Sequence, residues 1–264
     1  MIFLSYVDLA TLSVLIILLG GLLWLNGFTH VKQFWWANLR MVVQLLFMGV
    51  WLSWVFYADN WIWVALVGLV MLMAAAYEIA KRQHYSFKGG YSLWIGLFSI
   101  SLTSLILLVG VLTLIIEPQP WYQAQYAIPL LGMLLGNSMT AIALGVDSLT
   151  RNAVQFKPQI EAQLALGKTA KQAMQFVREQ SLHTAMMPVI NMLAAAGIIS
   201  LPGMMTGQIL AGTDPSEAVK YQIMVMFLVA SSTGFGTLIA VNLACRRLFD
   251  GRQRLMLEQL SKTR

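Results

Sequence analysis

Cysteine is almost missing from this chain. Cys245 stands alone among 264 residues, which excludes an internal disulfide and any cysteine cluster for a metal. It falls at the end of the last apolar run, where a reduced, structural role is expected. Charge is scarce as well: Asp, Glu, Lys and Arg make up 11% of the residues, against about a quarter in a soluble domain. Histidine is limited to His30, His84 and His183, none with a partner ligand four residues away, so no metal site is expected from them. Nor is there a linker, a low-complexity tract, an internal repeat, or the paired carboxylates of a membrane-embedded enzyme. No basic stretch precedes the first apolar run. The segment MIFLSYVDLATLSVLIILLGG is therefore expected to stay as a span and not to be removed as a signal peptide.

What the chain does have is apolar surface, at 58% of residues and a mean hydropathy of +0.71. Its solvent is membrane lipid. Spans need roughly 20 apolar residues each, and seven stretches qualify: Val7 to Leu25, Arg40 to Tyr57, Trp61 to Ala80, Ser92 to Ile116, Ala127 to Leu149, Met186 to Ala211 with an interruption, and Val219 to Ala244. The expectation is an all-α polytopic protein with a single membrane domain over 1–264 and a cytoplasmic loop at 150–185. Lys and Arg in short loops stay on the cytoplasmic side. Lys32 and Arg40, then Lys81, Arg82 and Lys88, then Arg151, Lys157, Lys168, Lys171 and Arg178, mark alternate connections as cytoplasmic, and Arg246, Arg247, Arg252, Arg254, Lys262 and Arg264 mark the tail. Asp59, Glu117, Asp214 and Glu217 fill the other connections, with Lys220 the one basic exception. The N-terminus is thus expected outside and the C-terminus inside, in a plasma (inner) membrane. Positive charge spread over every cytoplasmic connection also argues against nucleic acid as the reason for the net charge of +6.

Within the fifth stretch, GMLLGNSMTAIALGVD carries Asn137, Ser138, Thr140 and Asp147. On a helix, Gly132, Gly136, Thr140, Ala143 and Asp147 share one side. Leu131, Leu135, Ile142, Val146 and Leu149 fall opposite, where a lipid-facing surface is expected. The polar side is either helix-packing glue or the border of a translocation pathway. Gln44, Glu78 and Asn191 are the other intramembrane polar candidates for that pathway. Glu78 and Asp147, near a cytoplasmic entrance, either offer the hard oxygen ligands that suit a cation or serve as helix-end and salt-bridge residues, with Lys81 or Arg82 within reach of Glu78. Ser231, Ser232 and Thr233 are expected to bond their own helix.

The cytoplasmic loop reads as helix, turn and helix: Pro158 suits a first turn, Gly167 a stop, and Thr169 with Gln172 a T-x-x-Q capping box. Such a turned pair is either a plain linker or a knob for another protein. LALGKT is not a phosphate-binding loop, because Ala162 stands where that loop needs glycine and no strand precedes it. Any ATP must be bound by another polypeptide, and no cofactor is expected on this chain.

Met186 to Ser200 spans fifteen residues, about 22 Å of helix and short of the roughly 30 Å core. Either the helix borrows length from the cytoplasmic loop, or the span finishes after a break at Pro202 and Gly203. Broken helices are tolerated where they line a cavity or are buried. Pro202, Gly203, Met204, Met205 and Gly207 are accordingly placed at an outer gate. The two methionines offer soft thioether donors, although with sixteen methionines in the chain packing is the commoner use.

Together GMLLGNSMTAIALGVDSL, EAQLALGKTAKQA, SLHTAMMP and ISLPGMMTGQILAGTDPSEAVKYQIMV resemble the FetB-type (YbbM-like) permeases. This is an ABC-transporter family associated with iron export in bacteria and related to plant aluminium-tolerance permeases. The resemblance runs over nearly the whole length and is strongest from Ile128 to Val225. It implies a homodimer of permeases with two separate cytosolic ATPase subunits, exporting iron or a metal-related substrate. It also implies ATPase docking at Glu161, Ala162, Gly167, Lys168 and Thr169, since Glu161, Ala162 and Gly167 are similar to the EAA-type loop of importer permeases. Pro188 is further from Gly167 than that loop's closing proline, which implies a related but different docking geometry. A secondary transporter or channel, needing no ATPase, is the alternative; it would show more buried ionisable residues.

Overall fold

Residues 5–58 and 60–262 are described by the computed structural model; Asp59 and Arg264, counted above among the loop and tail charges, lie outside them. The chain divides into two compact units, Met1–Asp59 and Asn60–Arg264. In the first, helix α1 (Tyr6–Leu25) starts on Ser5, whose hydroxyl accepts from the Val7 amide while the Asp8 carboxylate accepts from the Ser5 amide. That reciprocal cap satisfies donors that a helix start otherwise leaves bare. A turn with Gly27 at φ +72 leads into α2 (Val31–Ala58). The two helices meet closely at Gly20, where an added β-carbon would collide with the Trp35 ring. Most of their apolar side chains are exposed, as the solvent of a lipid-embedded hairpin requires.

The second unit begins with α3 (Trp61–Lys81), capped by the Asn60 side chain. There follow β1 (Tyr85–Phe87), α4 (Tyr91–Val111) with a π-helical last turn at Leu112–Ile116, and α5 (Ala124–Gln155). The basic segment after α5 holds α6 (Lys157–Ala165) and α7 (Ala170–Ala173), and α8 (Gln175–Ala195) leaves it. Then come α9 (Gly203–Leu210), α10 (Pro215–Arg247) and β2 (Leu260–Lys262). Six helices among the described residues are long and apolar enough to cross a membrane: α1, α2, α3, α4 with its π-helical end, α5 and α10. This is a polytopic all-α membrane protein.

The sixth expected span has a different construction. Helix α8 starts at Gln175, well before Met186, and its 21 residues reach about 32 Å; the helix does borrow from the loop, and its polar first half keeps it from reading as a span. The interruption comes at Ala196–Leu201, with Gly197 at φ +85, ahead of the expected Pro202–Gly203. Pro202 instead caps α9, where its lack of an amide proton costs nothing.

Helix α5 corrects a second expectation. It packs against α3, α4, α8 and α10, and Leu131, Leu135, Ile142, Val146 and Leu149 are buried, the last three at 0% exposure, so the expected lipid face is a core face. A helix apolar on one side and small on the other can be covered all round, and between Leu130 and Thr150 only Gly136 and Leu144 are exposed. Gly145 permits the tightest of these contacts: a β-carbon there would meet Thr237 and Val241 of α10 at 3.1 Å and Ala185 of α8 at 3.2 Å.

Candidate functional site

Among the buried residues of α4, α5 and α10 runs a seam of hydroxyls. Ser138 and Ser232 lie 2.9 Å apart, Ser104 and Ser232 3.1 Å, and Ser138 and Thr233 3.5 Å. All four residues are fully buried. Each hydroxyl is both donor and acceptor, so the cluster can satisfy itself without water, which is the condition for polar groups inside a bundle. Ser232 was expected to bond its own helix; it joins three helices instead. A sequence signal did exist, since Ser104, Ser138 and Ser232 are serines inside three separate apolar runs. Asn137 and Thr140 behave the other way. Asn137 donates to the Met133 carbonyl at 2.9 Å and Thr140 to the Gly136 carbonyl at 3.1 Å, both within α5.

The acidic candidates are each engaged. Asp147 accepts from the His84 amide at 2.6 Å and pairs with Arg151 at 2.8 Å, fastening the connection after α3 to α5. Glu78 lies 3.7 Å from Arg82, one turn on. Among the described residues no three His, Cys, Asp or Glu side chains converge as a metal site would need. Asn191 is exposed on α8, and Gln44 is exposed on α2 beside Arg40, in the first unit. On α9, Met204 packs against the core and the Met205 amide donates to Gln222 of α10 at 3.3 Å, while Gly203 and Gly207 are exposed.

At the end of the bundle that holds Arg82, Arg151 and Arg246, the chain builds a turn. Pro158 sits in the first turn of α6, and Gly167 at φ +82 closes it, its amide donating to the Leu164 carbonyl and the Lys168 amide to Gln163. Thr169 caps α7 reciprocally with Gln172. Glu161 is exposed and lies 3.7 Å from Lys157, a pair of small energetic weight in water. Ala162, Gly167, Lys168 and Thr169 are exposed, and Leu166 at the tip is 81% exposed.

Sequence reasoning missed what stands against this turn. After α10 the chain folds into a second turn at Asp250–Leu255, closed by pairing of Phe249 with Leu255. The Asp250 carboxylate accepts from the Arg252 and Arg254 amides and the Arg254 guanidinium at 2.8–2.9 Å. The Arg254 amide above all holds the carboxyl below its usual range, against a smaller opposing effect of desolvation and with help from the Arg254 side chain. Gln253, at φ +58, presents its side-chain oxygen to the Ala170 amide at 2.8 Å. Between the two turns lies an open groove of about 750 Å³. Beyond it β2 pairs antiparallel with β1, setting Ser86 opposite Ser261, and Arg247 stacks on Tyr91 at 4.8 Å. The tail is thus tied to the connections that follow α3 and α6.

Comparison with known proteins gives a consistent set. The model of an uncharacterised protein family, UPF0014, matches residues 6–249. A UPF0014 membrane protein of Synechocystis is 36% identical, over 94% of this chain and 96% of its own length. The probable iron export permease protein FetB of Escherichia coli is 34% identical over 88% of this chain and 87% of its own. The Arabidopsis thaliana protein ALUMINUM SENSITIVE 3 is 31% identical over 80% and 75%. No solved structure matches the chain.

Proposed function

The chain belongs to the UPF0014 family of membrane proteins, and from that premise we propose that it is the membrane-spanning subunit of an ATP-driven exporter of iron or a metal-related substrate. A separate cytosolic ATPase binds and hydrolyses the ATP, and two copies of the chain form the permease. The N-terminus lies outside and the basic end of the bundle is cytoplasmic. The observation that carries the reading is the capped turn at Gly167. It is a capped, solvent-facing knob with an exposed leucine at its tip, the form that a docking surface for another protein takes. The relative named as an iron export permease supports the direction and the cargo.

In this reading, closure of the ATPases moves the turn, and helices α5 and α8, which flank it, carry the motion into the membrane. The buried hydroxyl seam keeps α4, α5 and α10 together as one body during that motion. Cargo passes along the more open polar positions, Asn137, Thr140 and Asn191, between spans or between copies. Glu78 and Asp147 are the acids nearest the cytoplasmic entrance. The non-helical break before α9 suits an outer gate at Pro202, Gly203, Met204, Met205 and Gly207. Inverted membrane vesicles containing the chain and its ATPase should accumulate iron when ATP is supplied and not when a non-hydrolysable analogue replaces it. Accumulation driven by a proton gradient alone would favour a secondary transporter.

A further inference from the structure

Resting on that reading, we propose that the turn Asp250–Leu255 is the second wall of the surface that receives the ATPase, and that the partner presents an acidic face to it. The turn is a built object. Gln253 holds a left-handed backbone that residues with a β-carbon seldom adopt, and the three donors converging on Asp250 keep it there. What this arrangement achieves is the bond from the Ala170 amide to Gln253. Ala170 is the first residue of α7, whose amide has no partner within the helix. The tail thereby fixes the orientation of the Gly167 turn, and Gln253 is a positioning residue.

The net charge around the groove is positive. Glu161 is paired with Lys157 and Asp250 with Arg254. Lys168, Lys171 and Arg252 are exposed and carry no ion pair among the described residues. Three uncompensated cations beside one exposed leucine fit an acidic surface with an apolar socket. A protein fits better than a lipid headgroup layer: α5 continues past Leu149 to Gln155 before α6 begins, about 9 Å of further helix, and the receptive shape is a groove between two turns.

The test reconstitutes the full chain in nanodiscs and measures its affinity for the ATPase subunit that copurifies with the wild type. Arg252→Glu should weaken binding at least about tenfold, because like charges meet at the interface. Gln253→Met, which keeps the shape and loses the acceptor, should also weaken binding and should speed hydrogen exchange of the Ala170 amide. Lys88→Glu, an exposed charge at the same end but away from the groove, should bind like the wild type. Unchanged affinity for Arg252→Glu while Gly167→Val binds poorly would overturn the proposal and leave the exporter reading intact. So would an equal loss in Lys88→Glu, or wild-type binding that depends on anionic lipid and is indifferent to Arg252. If the wild type recovers no ATPase, the exporter reading fails and this proposal falls with it.

Discussion

Substitution of Gly167 isolates the turn from the rest of the fold. Its backbone lies at φ +82, and a β-carbon added there meets nothing within 4 Å, so any penalty acts through the backbone alone. For an ordinary L-residue that penalty is about 1–2 kcal/mol, while Asn visits the region more readily. The ratio of closed to open turn should therefore fall by about 5–30-fold in Gly167→Ala and Gly167→Val, and by less in Gly167→Asn. Hydrogen exchange of the Lys168 amide, which donates to Gln163 at 3.2 Å, reads that ratio directly. Recovery of the ATPase in pull-down should fall in the same order, Gly, Asn, Ala, Val, while the melting temperature of the bundle stays unchanged. Equal ATPase recovery across the series, or a loss that simply tracks melting of the whole protein, would refute the reasoning.

Three further outcomes are expected. Ser232→Ala removes contacts to both Ser138 and Ser104 and should destabilise the membrane bundle by about 1 kcal/mol in reversible unfolding; no change would mean the seam contributes nothing. Asp250 has a depressed carboxyl pKa in the fold, so its contribution is full above the unfolded value of about 3.9 and is lost as pH falls through the lower folded value. Amide protection at Arg252 and Arg254 should hold from neutral pH to about 5 and decline below about 4, and protection unchanged in strong acid would contradict this. In a Cys245→Ser background, an impermeant thiol reagent should label Asp214→Cys from outside and Lys168→Cys only after permeabilisation; the reverse pattern overturns the orientation.

Features set by local chemistry were legible in the residues. Composition reveals the membrane, and Pro158, Gly167 and the Thr169–Gln172 pair mark helix ends because caps and left-handed stops are decided within a few residues. The surroundings of α5 were not legible. A stripe of Leu, Ile and Val reads the same whether lipid or other helices cover it, and only the packing of α3, α8 and α10 decides. Ser232 looked like a helix-satisfied serine because the Ser104 and Ser138 hydroxyls reach it from 128 and 94 residues away. The pairing of Tyr85–Phe87 with Leu260–Lys262 is likewise remote, and three-residue strands have too little periodicity to register. The second helix of the loop is legible from its cap at Thr169, but the span is placed only from Met186 because the first half of α8 is polar. Those same long-range ties put Gln253 beside Ala170.

Whether a motor drives this chain is tested most directly by purifying it, tagged and intact, from its native membrane in mild detergent, followed by measurement of ATP hydrolysis. The expected result is a stoichiometric cytosolic ATPase subunit in the eluate, with hydrolysis that rises when the permease is present and is lost from the complex in Gly167→Val. A chain that elutes without an ATPase yet still moves iron in vesicles lacking ATP would contradict it.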